Sequence, residues 1–147
     1  MTTISSTGIT FVQAAERLAM HLVHHQLPEP ALMGVTLMWG HPQVRVQLHS
    51  QSLADVVAGL LIWTRTLSTV TVEAWRVPQG GRVQLSIAST LASPTGGVIE
   101  LDVYGDCAHD PILITDLAPG EKRVVSLGEL RAWAASNAGA TSEGGAA

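Results

Sequence analysis

The chain predicts an α+β fold: a single antiparallel sheet of about five strands with helices packed on one face, in the order α-ββ-α-βββ-α. Three observations carry this. Leu53, Val56, Val57, Leu60, Leu61, Thr64 and Leu67 repeat at helical spacing, and directly afterwards Val70, Val72 and Ala74 alternate with Thr71, Glu73 and Trp75 at strand spacing. Two turn-forming stretches, Pro78-Gln79-Gly80-Gly81 and Ser93-Pro94-Thr95-Gly96, divide the region from Thr69 to Tyr104 into strands. A Ser or Thr with Gln, Asp or Glu three residues later recurs at Thr10/Gln13, Ser52/Asp55 and Ser126/Glu129, the spacing that starts helices by reciprocal capping.

The elements run in order along the chain. Phe11, Ala15, Leu18 and Leu22 give a first helix an apolar stripe to about Gln26, where Pro28 and Pro30 stop it. Val35, Leu37 and Trp39, then Val44, Val46 and Leu48, alternate on either side of Gly40-His41-Pro42 and predict a β-hairpin with that short loop. The second helix starts at Ser52. Strands at about Thr69 to Val77, Arg82 to Ser89 and Gly97 to Tyr104 form an antiparallel meander. Periodicity is then lost until a short helix through Leu127, Leu130, Trp133 and Ala134, with Trp133 as its anchor. Residues 1–136 thus make one α+β domain. Residues 137–147 are small and polar, with nothing to offset the entropy of ordering, and are expected to be a disordered tail. The expected buried set is Val44, Val46, Leu48, Val83, Leu85, Ile87, Leu101 and Val103.

Composition bounds the function. Hydrophobic residues make up 46% of the chain and charged residues only 14%, so few charges remain to solvate the outside and a partner is expected to cover some apolar surface. The one cysteine excludes an intrachain disulfide and suits a reducing compartment. The start lacks the charged and apolar regions of an export signal, and the apolar run Val56 to Trp63 is far short of the roughly 20 residues that span a bilayer. The expectation is a cytoplasmic protein with no membrane insertion. With 12 acidic against 8 basic residues the net charge is -4, and only Arg45, Arg76 and Arg82 could gather on one sheet, which argues against phosphate-driven nucleic-acid binding. A DNA-associated accessory regulator remains a third reading.

Two clusters and one surface are candidates for function. Met38, Arg45, Glu73, Trp75, Asp102 and Tyr104 fall on the open sheet face, with His49, Thr71, Gln84, Ser86 and Glu100 around them, and Met, Trp, Tyr and Arg are the residue types that protein interfaces favour. The alternative is that the loop from Asp106 to Lys122 folds back over Trp75 and Tyr104. His21 and His25 share a helix face as metal ligands do, but HExxH is absent, and imidazoles near a helix C-terminus are favoured by the helix dipole without any metal. Asp106, Cys107, His109 and Asp110 are placed in a loop after a strand, where Cys107 and His109 could pair as nucleophile and base or join His21 and His25 around zinc. The alternative there is an Asp-rich turn ending at Pro111. Gly80-Gly81 and Gly96-Gly97 join strand to strand, so they read as hairpin turns and not as phosphate loops.

The segments WGHPQVRVQLHSQSLADVVAGLLIWTRTL and TVEAWRV resemble the central part of small uncharacterised actinobacterial proteins, some of which lie beside the transfer and spread genes of plasmids and integrated elements. The resemblance spans roughly Glu29 to Arg131 and rests on hydrophobic pattern plus Trp39, Trp63 and Trp75. It implies an accessory role on a mobile element and carries no catalytic residue. The leading expectation is a non-enzymatic interaction protein that needs no cofactor and binds itself, as a homo-oligomer, or another protein through the open sheet face. The alternative is a metal- or small-molecule-binding protein, with hydrolysis as the activity it would support, built on Asp106, Cys107 and His109.

Overall fold

Capping chemistry fixes where the helices begin. Thr10 Oγ1 accepts the Gln13 N–H at 3.1 Å and Gln13 Oε1 accepts the Thr10 N–H at 2.8 Å, so two otherwise orphaned donors are satisfied at the start of α1 (Phe11–His24). Ser52 Oγ likewise accepts the Asp55 N–H at 3.1 Å at the start of α2 (Leu53–Thr64). Ser126 and Glu129 complete the third box, ahead of a helix α3 over residues 127–135. α1 stops two residues short of the expected Gln26. There Gln26 turns left-handed, with φ of 52°, and the Leu27 N–H closes on the Leu22 carbonyl at 3.0 Å.

The computed structural model describes residues 8–49 and 52–135, and the predicted tail 137–147 lies outside them. The strands are β1 (Leu32–Met38), β2 (His41–Gln47), β3 (Thr71–Arg76), β4 (Arg82–Ala92), β5 (Val98–Ala108) and β6 (Lys122–Val125). They form one six-stranded sheet in the order β1-β2-β5-β4-β3-β6. The fold is α+β as expected, but the sheet is mixed and not wholly antiparallel. α2 carries the chain from β2 across to β3, and the meander β3-β4-β5 then folds back until β5 lies parallel to β2, with Val44 opposite Leu101 and Val46 opposite Val103. β6 was not expected; it pairs antiparallel with β3 on the far edge. β4 and β5 run to Ala92 and Ala108, beyond their predicted ends.

Helices cover one face. Val44, Val46, Val83, Leu85, Ile87, Leu101 and Val103 are buried there against Leu18 of α1, Val56, Leu60 and Trp63 of α2, and Leu130 and Trp133 of α3. Leu48 is only partly buried, because it lies past the end of β2. Gly105 lets α2 approach: a Cβ there would sit 3.0 Å from Val56 Cγ1. The loop after β5 contributes Ile114 and Leu117 to the same core, and Arg76, on the helix side of β3, donates to the Leu117 carbonyl at 2.8 Å. The loop therefore stays on the helix side, and among the described residues no helix or loop packs over the opposite sheet face, which is bare in that sense. Among the described residues, no helix is long and apolar enough to cross a membrane.

Candidate functional site

Strand alternation places Met38, Arg45, Glu73, Trp75, Asp102 and Tyr104 on the bare face, since their strand neighbours Val44, Ala74, Leu101 and Val103 are buried under the helices. Three of the six meet. Arg45 Nε lies 3.3 Å from Asp102 Oδ2, the Arg45 guanidinium stands 4.6 Å from the Tyr104 ring centroid, and the Tyr104 hydroxyl donates to Gln47 Oε1 at 3.4 Å. Burial raises the Asp102 carboxyl above its ordinary pKa, against the opposing pull of Arg45. This group is largely satisfied within itself. Glu73, whose charge adds to the rise at Asp102, lies with Trp75, Gln84, Ser86 and Lys122 around a hollow of about 260 Å³. Met38 lies four strands from Trp75, roughly 19 Å at ordinary strand spacing, so the six do not form one patch. His49 falls beyond the end of β2.

The three sheet arginines do not share a face. Arg45 and Arg82 lie on the bare side, paired with Asp102 and with Asp106 at 2.9 Å. Arg76 points to the helix side, where Nε and Nη1 donate to the carbonyls of Gly80 and Leu117. No cationic stripe results from these three.

The Cys/His cluster is also rearranged. Asp106 and Cys107 belong to β5 and not to a loop, so alternation sends them to opposite faces. Cys107 is wholly buried, its thiol directed at the Val83 carbonyl at 3.9 Å, and burial pushes its pKa up to about 11, which is the reverse of nucleophile activation. The His109 ring bonds the Ile114 carbonyl at 3.0 Å, and Asp110 Oδ1 accepts the N–H groups of Ile112 and Leu113, the expected turn. His21 Nε2 bonds Thr66 Oγ1 at 2.8 Å and its ring stacks on Trp63, while His25 lies 4.5 Å away, centroid to centroid. Among the described residues, no three His, Cys, Asp or Glu side chains converge as metal ligands.

The most exposed apolar region is one the alternation pattern did not single out. β1 is an edge strand, and Leu32, Met33, Leu37 and Met38 are all exposed on it. The turn to β2 is two residues long, Trp39 and Gly40, with φ of 56° and 80°, so His41 and Pro42 are strand residues and not loop. That is the hairpin turn whose twist matches its strands, but its first position favours Asn, Asp or Gly. Trp39 occupies it at 94% exposure. Beside β1, the outer flank of α1 adds Ala19, Leu22 and Val23, which with Leu27, Pro30 and Met33, and with the polar Gln26 and Glu29, line an open groove of about 440 Å³. An alternating run closed by Trp-Gly was the available signal. It was masked because Gly40-His41-Pro42 looks like a loop by itself.

No known family model, curated protein or solved structure matches the chain.

Proposed function

We propose that the chain is a non-enzymatic interaction module that docks a protein along its β1 edge, with Met38 linking that edge to the polar sheet face. One observation carries the reading: an uncharged edge strand, apolar on both faces, ends in a Trp held outward on left-handed backbone. Bulky residues adopt that conformation at a cost of about 1–3 kcal/mol, and such strain collects at sites that use it. Exposed apolar patches rimmed by polar groups mark interaction surfaces in soluble proteins. The Arg45, Asp102 and Tyr104 group forms the polar flank, where it sets orientation. The nucleophilic and basic groups best suited to chemistry, Cys107, His109 and His21, are committed to packing and to hydrogen bonds within the fold.

The test replaces Trp39 with a photoreactive phenylalanine analogue in cells producing the chain. The reading predicts one discrete protein adduct on illumination, lost when Leu37→Lys is added. A diffuse set of adducts, equal to that from the same analogue at exposed Ile112, would contradict it.

A further inference from the structure

Resting on that docking reading, we infer that the occupant of the edge is a second copy of this chain, whose β1 adds antiparallel to β1 about a two-fold axis at Val35.

The strand's sequence is self-complementary. Reversed about Val35, Leu-Met-Gly-Val-Thr-Leu-Met puts Leu32 opposite Met38, Met33 opposite Leu37, and Gly34 opposite Thr36. Apolar residues then face apolar residues on both sides of the sheet. Residues 30–40 contain no charge, so no like charges oppose each other along the paired strands; the nearest carboxylate in sequence, Glu29, lines the groove beside β1.

The hydrogen-bonding parity agrees. Because the turn holds two residues, Met38 and His41 close it as a hydrogen-bonded pair, and alternation then directs the N–H and C=O groups of Met33, Val35 and Leu37 away from β2. Those are the residues that an axis at Val35 makes hydrogen-bonded pairs: Val35 with its own copy, and Met33 with Leu37 twice. An axis one residue away would place inward-bonded groups at the seam.

The helix layer fits as well. α1 packs over β1 and β2, which puts it about 5 Å from the seam at ordinary strand spacing. Two copies then bring their α1 helices to about 10 Å, a normal helix-packing distance, with Ala19, Leu22 and Val23 facing each other across the axis. By helical spacing Phe11 and Val12, both exposed, share that flank, with the exposed Glu16 at its margin beside Val23. The exposed Val23, Leu32, Met33, Leu37, Met38 and Trp39 together present on the order of 800 Å² of accessible surface, what one partner buries in a standard interface. From Leu32 to Met38, β1 also carries no lysine, no proline and no inward charge, devices that isolate edge strands.

The experiment is light scattering on the full chain with a charge pair that reads the register. The wild type is expected to be a dimer. Leu32→Lys and Met38→Glu, at positions exposed in the monomer, should each raise the dissociation constant at least ~10-fold, whereas the double variant, which sets Lys opposite Glu across the seam, should return to within ~3-fold of wild type. Circular dichroism verifies that each variant folds. Independently, Val35→Cys should yield a disulfide-linked dimer on mild oxidation, because hydrogen-bonded partners stand about 5.5 Å apart at Cα. A wild type that is monomeric at about 100 μM, a dimer indifferent to the single variants, or a double variant worse than either single would overturn the second copy. If the wild type is monomeric and the Trp39 photo-adduct contains another protein, the second copy fails and the docking reading stands.

Discussion

β1 and β5 both carry apolar residues at alternate positions and meet opposite fates, although β5 sets Glu100, Asp102 and Asp106 between them and β1 carries no charge. Both are rich in apolar residues, yet in β5 the alternate residues Ile99, Leu101, Val103 and Cys107 vanish into the core, while β1 leaves six of its seven residues exposed. The difference is position in the sheet. β5 has β2 on one side, β4 on the other and α2 above it, whereas β1 has one neighbour and only α1 beside it. Sequence supplies apolar strands; sheet order decides which of them are finished within the chain and which need covering from outside. β1 is the unfinished one.

The contrast can be broken by truncation. Leu85→Ala, at the centre of the sheet, should cost about 2–5 kcal/mol in urea unfolding, the cost of a lost buried side chain and the cavity it leaves. Leu37→Ala on β1, measured at dilutions where only monomer is present, should cost no more than about 1 kcal/mol. Comparable losses would mean that β1 is as much core as β4.

Acid sharpens the contrast on the α1 side. Burial, with His25 and Arg17 nearby, lowers the His21 pKa from 6.5 to about 4. The unfolded chain therefore binds the proton more readily than the folded one. Stability from this group is complete above about pH 6.5, falls as the pH drops, and levels off below about 4, a loss of up to about 3 kcal/mol. His21→Phe should flatten that slope in pH-dependent unfolding. The wild type should lose amide protection over α1 before β4 and β5, since His21 ties α1 to Trp63 in the last turn of α2 and to Thr66 just beyond it.

A smaller and more pointed effect belongs to the turn. Trp39→Asn should stabilise the monomer by about 1 kcal/mol in thermal unfolding, because Asn accepts left-handed backbone more readily than Trp does, and it should weaken association in the same preparation. A variant that loses stability would show that Trp39 serves the fold and not the interface.

Much of the fold was legible because it is written in local chemistry. Thr10/Gln13 and Ser126/Glu129 form the boxes that their spacing predicts, and period-two alternation assigned Val44, Val46, Leu85 and Val103 to the buried face. Sheet order was not legible, because whether β5 returns beside β2 or beyond it leaves no trace in the periodicity of either strand. β6 escaped notice because Lys-Arg-Val-Val is too short to show a period. The candidate site was half legible: Arg45, Asp102 and Tyr104 come together, but Met38 and Trp75 belong to distant parts of the same face. Cys107 and His109 are neighbours in sequence and strangers in structure, because the Cys107 thiol is turned into the core from β5 while the His109 ring, past the strand's end, is held by Ile114.

The most direct measurement is amide hydrogen exchange at Val35 as a function of protein concentration. Its N–H points away from β2, so among the described residues of an isolated chain it has no strand partner and should exchange quickly. Protection at Met33, Val35 and Leu37 that rises with concentration, while Gly34 and Thr36 remain protected throughout by β2, is the predicted result. Fast exchange at Val35 at every concentration would contradict the edge pairing.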